Sequence, residues 1–252
     1  MPFSARVVIN AVWQRITTWR FWFYSAISLI SLAVLLVAAV QTKQMLFRRK
    51  VERLVSSVRN MPFENATAEQ VRQFLRQWPG AAHTDGDCAQ RCFQQIVLDS
   101  FAAKHGQFFG NHERLFWLYL LAGGHPARVV ADFDLSAGIP QSVGVRFVLV
   151  CGEDLPLIGN IYFNTKAQLG KHPGTYRTSQ LHPTYRIYTS GGCEGCRDFS
   201  VSFLPGANQS DINRLAQFDY SCLTRWLHPC RTRGDIMPAA WQQHLQDESM
   251  QH

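Results

Sequence analysis

A run of twenty residues near the amino terminus, Phe21 to Val40, contains no charged side chain (FWFYSAISLISLAVLLVAAV). A helix of this length, at about 1.5 Å per residue, crosses the roughly 30 Å hydrocarbon core of a bilayer. Trp19, Trp22 and Tyr24 lie at one end of the run, where aromatic side chains commonly mark the membrane interface. The sequence therefore predicts a transmembrane helix over residues 21–40, with the lipid bilayer as its partner.

Two other interpretations of the run fit less well. A buried core helix rarely continues this far without a polar stripe. A cleaved signal peptide would use Val37 and Ala39 as the small residues before the cleavage point, but the apolar region of a signal peptide is about 7–15 residues long. The twenty residues that precede the run also favour an uncleaved anchor.

Positive charge is concentrated before residue 61. The chain has a formal net charge of +7, and residues 1–60 hold nine Lys and Arg against Glu52 alone, a net charge of +8. Residues 61–252 hold 16 basic against 17 acidic residues, a net charge of −1. Because the larger part of the chain is nearly neutral, we predict no nucleic-acid partner.

Two features disagree on the side of the membrane that the following domain occupies. Six Lys and Arg residues follow the run between Lys43 and Arg59, against three before it, and the positive-inside rule then places the domain in the cytoplasm. Six of the seven cysteines, however, fall in close pairs, which is typical of compartments where disulfides persist. We adopt the extracytoplasmic side and expect an envelope protein as a candidate partner.

Periodicity divides the chain into four parts. Residues 1–20 form an amino-terminal tail whose apolar residues have the spacing of an amphipathic helix on a membrane surface. The transmembrane helix (21–40) is followed by a juxtamembrane helical stalk (41–61), in which the apolar residues again share one face. Residues 62–252 form the soluble domain.

The soluble domain has helical patterns at both ends and strand patterns between them. Thr67 and Gln70 form a capping box at the start of its first helix, whereas residues 81–87 (AAHTDGD) form a loop by composition. Alternating apolar residues predict a hairpin from ARVVADFDL and VGVRFVLV, and further strands in GNIYFNT, TYRIYTS and DFSVSFLPG. Ser210 is expected to cap a helix that continues to Leu227. This order predicts an α+β domain with an antiparallel sheet of about four to six strands.

Cysteines are the candidate site residues. A thioredoxin-type pair requires a helix amino terminus to lower the pKa of its first thiol, but Cys193 and Cys196 lie between two predicted strands. Disulfides within or between the pairs suit an oxidising compartment. Structural zinc suits the two-residue gap between Cys193 and Cys196, with another pair as the second half-site, and buried free thiols are the third alternative. The pairs are Cys88/Cys92, Cys193/Cys196 and Cys222/Cys230, with Cys151 alone.

Motifs for catalysis are missing from the sequence. It contains no G-x-S-x-G, H-E-x-x-H, P-loop or G-x-G-x-x-G pattern. We therefore predict a binding or structural role without a cofactor. The alternative is a zinc-stabilised or thiol-dependent enzyme or module that uses Cys193 and Cys196 with Cys222 and Cys230. Asp132 and Asp134 alternate with apolar residues, which we interpret as one solvated strand face rather than a metal site. His172, His182 and Tyr185 are assigned to a polar surface connection.

The carboxy-terminal forty residues carry a more specific pattern. A strand and a short helix are followed by a cysteine before Leu-Thr, a second cysteine and a final aliphatic-Pro-x-x-Trp. This ending resembles that of a group of uncharacterised single-pass bacterial membrane proteins. The resemblance implies an anchor, a domain and a bridge between Cys222 and Cys230, but no chemistry. The matching positions are Phe218, Cys222, Leu223, Cys230, Asp235, Met237, Pro238 and Trp241.

Overall fold

The computed structural model describes residues 5–61, 67–100, 113–149, 157–165, 176–178, 182–190, 197–226 and 230–250. Within these ranges a long apolar helix is followed by a mostly antiparallel sheet with flanking helices. The predicted α+β class is therefore confirmed. Predictions that concern Cys151, His172, Cys193 and Cys196 lie outside the described residues.

The first helix, α1, runs without a break over Ala5–Arg59. Its apolar side chains between Trp19 and Leu36 are largely exposed, and in the described part of the chain α1 is the one helix long and apolar enough to cross a membrane. The helix continues beyond the apolar run as far as Arg59. Its last turns do not stand apart from the domain, since Val51, Leu54 and Val58 are fully buried in the main core.

Eight strands of the described chain form one sheet, in the order β1-β2-β3-β4-β5-β8-β7-β6. Neighbouring strands are antiparallel except β5 and β8, which are parallel. The strands are β1 (Ala82–Asp87), β2 (Arg91–Asp99), β3 (Ala127–Ser136), β4 (Ile139–Leu149), β5 (Leu157–Asn164), β6 (Tyr176–Thr178), β7 (Tyr185–Ser190) and β8 (Arg197–Phe203).

The sheet is larger than the four to six strands expected, and one added strand was predicted to be a loop. Residues 82–87 form β1, which pairs with β2 along its whole length at the edge of the sheet. Five of the six residues of β1 are exposed, and the segment is correspondingly polar. For this reason its composition predicted a loop rather than a strand. Polar side chains on an edge strand also discourage pairing with other chains.

One face of the sheet is covered by helices and forms the core. The buried face carries large apolar residues such as Phe133 and Phe147, which pack with the end of α1 and with the helices that follow. These helices are α2 (Ala68–Arg76), α4 (Gln209–Leu215), a 3-10 turn (Tyr220–Leu223), α5 (Arg233–Ile236) and α6 (Pro238–Ser249). A further helix, α3 (Glu113–Leu121), lies outside this cluster and packs against α1 near Val40. The capping box predicted at Thr67 and Gln70 is present at the start of α2.

The helix predicted from Ser210 to Leu227 is much shorter in the structure. Its cap is Asn208, whose side-chain oxygen accepts a hydrogen bond from the backbone N–H of Asp211 at 2.7 Å. The helix ends at Leu215, and Asp219 then caps a separate 3-10 turn by accepting from the backbone N–H of Ser221 at 2.9 Å. The Asp219 carboxylate lies inside the predicted helix. Because it caps a new turn, this local hydrogen bond interrupts the helix that the apolar spacing predicts.

Candidate binding groove on the outer face of the sheet

The face of the sheet opposite the core carries polar side chains along β2, β3, β4 and β5. On β3, burial alternates strictly, so that Asp132 and Asp134 lie on the outer face. The strand register places Gln95, Gly144 and Tyr162 in one row with Asp132. Directly paired residues of adjacent strands project to the same face, and this row therefore crosses four strands.

A groove of about 560 Å³ follows this outer face. Its volume lies within the range of about 300–1,000 Å³ that is usual for small-molecule sites. Apolar side chains from the strand ends alternate with the polar ones. The groove is lined by Phe93, Gln95, Val97, Arg128, Val130, Asp132, Asp134, Ser142, Gly144, Arg146, Val148 and Tyr162.

Arg146 is the central cation of the groove. Its partial burial disfavours the charged guanidinium, but the Tyr162 hydroxyl, with which it shares a hydrogen bond, and the carboxylates of Asp132 and Asp198 outweigh burial and raise the pKa of Arg146. A guanidinium has five N–H donors, and Arg146 is exposed on this face. Arg146 can therefore present the N–H groups that Tyr162 does not use to a ligand.

Two carboxylates share Arg146. Burial raises the pKa of Asp132, and the charge of Arg146 and a hydrogen bond from Gln95 oppose that rise in part. Burial likewise raises the pKa of Asp198, against the charges of Arg146 and Arg233. Carboxyl groups that are partly desolvated beside a cation are common at functional sites.

Ion pairs close the two ends of the groove. Arg91 donates to the Asp134 carboxylate at 2.8 Å on one side, and Arg128 donates to Asp99 at 2.7 Å on the other. The lining itself contains two arginines and two aspartates, so its formal charges cancel. A site with balanced charge and many fixed donors and acceptors favours a polar ligand without a large net charge.

Tyr162 gives the groove an aromatic surface, and a glycine makes room for it. A Cβ atom placed on Gly144 would lie 2.9 Å from two ring carbons of Tyr162. The ring therefore lies across β4 at a position where a larger residue than glycine would displace it. Its hydroxyl shares a hydrogen bond with Arg146, and the residue borders the open groove.

Buried polar side chains continue this face onto β8. The Asn160 amide donates to the Ser200 hydroxyl at 3.0 Å, and the Asn164 amide donates to Ser202 at 2.7 Å. Asn160 pairs with Arg146 in the strand register, and its Oδ1 atom is buried with no hydrogen-bond partner. A buried acceptor without a donor costs free energy, which leaves an unmet hydrogen-bonding requirement beside the groove.

The four described cysteines are not among the residues that line the groove. The sulfurs of Cys88 and Cys92 are 2.03 Å apart and close the turn between β1 and β2, and those of Cys222 and Cys230 are 1.95 Å apart. Bonded sulfurs are not thiolates and do not ligate zinc. Within the described ranges no group of three or more His, Cys, Asp and Glu side chains is arranged to hold a metal ion. The zinc alternative also involves Cys193, which lies outside those ranges, and it stays a prediction.

A second polar cluster lies where α6 meets the start of β7. The fully buried carboxylate of Asp247 contacts His182 Nε2 at 3.0 Å and accepts from the Gln243 amide at 2.9 Å. The His182 ring stacks on Tyr185 at 4.2 Å, and burial, with the nearby Asp247 charge, raises the pKa of Tyr185 to about 12. The sequence prediction treated both residues as part of a surface connection, but Tyr185 is buried in the core.

Sequence reasoning located part of the groove. It placed Asp132 and Asp134 on one face, which is confirmed, but both are half-buried against arginines rather than simply solvated. It missed Gly144, Arg146 and Tyr162. The signal was available as polar residues at alternate positions of VGVRFVLV and GNIYFNT, in strands predicted next to the one that carries the aspartates.

Comparison with known proteins finds no matching family model, no similar curated protein and no similar solved structure. The resemblance of the carboxy-terminal segment to single-pass membrane proteins therefore stays a prediction. Function has to be argued from the groove and from the apolar helix.

Proposed function

We propose that this protein is a single-pass, membrane-anchored binding protein whose α+β domain lies on the extracytoplasmic side and takes up a neutral, hydroxyl-rich ligand in the groove. The single observation that carries the binding role is the charge-balanced cluster formed by Asp132, Arg146 and Tyr162 on the open face of the sheet. The lipid bilayer is the first partner, through α1.

Anchoring is supported by the exposure of α1. Apolar side chains such as Phe21, Leu29 and Leu35 are each at least 64% exposed along a helix that the domain does not cover. Apolar surface of this extent is not stable in water, whereas lipid tails bury it at no cost. This exposure in the described part of the chain supports a bilayer as the environment of α1.

The extracytoplasmic side is supported by the two disulfides. Cys88–Cys92 and Cys222–Cys230 both have the Cα separations, 4.6 and 5.3 Å, that disulfides require. Disulfides persist in oxidising compartments and are rare in the cytosol. The positive-inside count favours the opposite orientation, so orientation is the first property to measure.

Orientation and anchoring can be tested on the same cells. A thiol reagent that does not cross membranes is applied before and after lysis, and carbonate extraction follows. We expect the four cysteines to stay unmodified until a reductant is added, and the chain to remain in the membrane pellet. Thiols that react only after lysis and without reductant would place the domain in the cytoplasm, and a chain released by carbonate would contradict the anchor.

The ligand class is tested by a glycan array probed with the full chain in lipid nanodiscs. We expect binding to a subset of neutral saccharides, and a loss of at least about tenfold in Arg146→Gln, which corresponds to about 1.4 kcal/mol. Arg72→Gln serves as the control, since that arginine lies in an exposed pair on α2. Equal binding by the two variants would remove the groove from the proposal.

No binding to any saccharide on the array would favour a structural role for the domain. Metal analysis of the purified chain distinguishes the binding role and the structural role from the remaining alternative, a zinc-stabilised module that involves Cys193 and Cys196. One zinc per chain would support that alternative, and a metal-free chain with two mapped disulfides would contradict it.

A further inference from the structure

Helix α3 is apolar on the side that faces the domain and on the side that faces away from it. Phe116 and Tyr119 are buried. On the other side Trp117, Leu118 and Leu121 are 46%, 46% and 75% exposed. A short helix that is apolar on both sides is not suited to contact water along its outer face. Something apolar is therefore expected to cover that face.

The position of α3 along α1 identifies the cover. Tyr119 and Ala122 form a small cluster with Val40, against which Val37 also packs. Gln41 donates to the backbone oxygen of Gly123 at 3.2 Å. These α1 residues belong to the last turn of the charge-free run and the turn that follows it. The helix α3 thus lies beside the carboxy-terminal end of the charge-free run.

Polar contacts hold α3 at this level. Gln44 Nε2 lies 3.5 Å from the Tyr119 hydroxyl, and the Lys43 ammonium lies 5.8 Å from the centre of the Tyr119 ring. Lys43 and Gln44 lie three and four residues beyond the end of the apolar run. Amides, ammonium groups and tyrosine hydroxyls are the groups that favour the headgroup region.

The loop closed by Cys222–Cys230 reaches the same region. The Trp226 ring lies so close to Gly123 that a Cβ atom on the glycine would overlap it, and the ring is 51% exposed. His125 Nε2 contacts the backbone oxygen of Arg225. The loop therefore adds a second exposed tryptophan beside the end of α3.

We propose that α3 and Trp226 form a second membrane-contacting surface, which lies in the interface of the same bilayer that α1 crosses. The inference rests on the proposed anchoring. We take lipid as the occupant because this patch is continuous with the exposed apolar surface of α1. The two surfaces meet at Val37 and Val40, which pack in one cluster with Tyr119. Tryptophan and leucine on an interfacial helix bury apolar area at the boundary between headgroups and acyl chains.

The test places a photocrosslinking residue at single positions of the full chain in nanodiscs of labelled phosphatidylcholine. Leu121→benzoylphenylalanine probes α3, and Leu35→benzoylphenylalanine, at a position 67% exposed in the apolar run, probes the anchor. Ile139→benzoylphenylalanine is the matched control, because Ile139 is an apolar residue 60% exposed at the turn between β3 and β4. Formation of the Cys222–Cys230 bond is checked in each variant to establish that it has folded.

We expect lipid label at positions 35 and 121 and none at 139. Label at 35 without label at 121 would overturn the second contact and leave the anchor intact. No label at 35 would overturn the proposed anchoring and this inference with it. A crosslinked dimer at 121 in place of lipid would mean that a second copy of the chain covers α3, which also contradicts the proposal.

Discussion

The Asp247 carboxylate, which has no solvent exposure, lies 3.0 Å from Nε2 of His182, and the two residues are 65 positions apart in the sequence. This contact ties the last helix of the chain to the segment that enters β7. A buried carboxylate requires hydrogen-bonding partners, because its desolvation is otherwise uncompensated.

Replacing His182 should therefore weaken the fold. His182→Ala removes one partner of Asp247 and the ring that stacks on Tyr185, and we expect the free energy of unfolding to fall by about 1–3 kcal/mol. Urea unfolding of the full chain in detergent micelles measures this. His83→Ala on the exposed edge strand β1 is the control, and equal losses in the two variants would contradict a structural role for the contact.

The end of α1 should behave as core. Leu54 is fully buried, whereas Leu46 on the same helix is 54% exposed. Leu54→Ala is expected to lower the free energy of unfolding by about 2–5 kcal/mol because it leaves a cavity. Leu46→Ala should change it by less than about 0.5 kcal/mol. If both variants unfolded like the parent chain, α1 would not contribute to the domain core.

Two glycines on neighbouring strands provide a comparison between the groove and the core. A Cβ atom on Gly159 would meet Ile236 at 2.9 Å and Phe218 at 3.0 Å inside the core, whereas on Gly144 it would meet only the Tyr162 side chain closely. We expect Gly159→Ala to lower the free energy of unfolding by about 1–3 kcal/mol through overpacking. Gly144→Ala should cost less, since the Tyr162 ring can move into the open groove.

Ring resonances of Tyr162, followed by NMR on selectively labelled tyrosine, measure that movement. They should shift in Gly144→Ala, and saccharide binding should weaken in the same variant. An unchanged Tyr162 spectrum would mean that the glycine is not what sets the ring position.

The pH dependence of stability should report Asp132. Burial raises its pKa in the folded chain, so the folded state binds the proton more tightly than the unfolded state does. Stability is then lost as the pH rises from the ordinary carboxyl pKa through the raised value. Asp132→Asn should therefore be more stable than the parent chain at neutral pH, and the difference should vanish below about pH 3.

Thermal unfolding across this pH range checks the prediction, with Asp85→Asn on the exposed strand β1 as the control for the loss of one charge. Arg146 keeps its contact with Tyr162 and its attraction to Asp198 in the Asp132 variant, so it is not left unpaired. Greater stability in Asp132→Asn together with weaker saccharide binding would indicate a carboxylate retained for the ligand rather than for the fold. A variant less stable than the parent chain at neutral pH would contradict this.

The sequence predicts elements that have a strong local signal and misses those that depend on distant partners. The hairpin of β3 and β4 follows from alternation, and α2 follows from its capping box at Thr67. Strand β1 could not be predicted in this way, because its stability comes from pairing with β2 and not from its own polar residues.

Prediction of the groove from the sequence is limited in the same way. Arg146 and Tyr162 become neighbours only when β4 pairs with β5, and their pairing with Asp132 requires β3 as well. Alternation gives the face on which each side chain lies, but the register between strands decides which side chains meet. The cysteine pairs are recognised from their spacing in the sequence alone, yet none of the four described cysteines lines the groove.

The unbroken path of α1 has a mechanical consequence. A straight helix turns about 100° and rises about 1.5 Å with each residue, and α1 has no hinge between the apolar run and the buried turns near Leu54. The angle between any one side of the run and the opening of the groove is therefore set by the number of residues between them. A protein that bound one side of α1 within the bilayer would therefore find the groove at a fixed angle around the helix axis. Insertion of one residue into α1 would rotate the groove by about 100° relative to that protein.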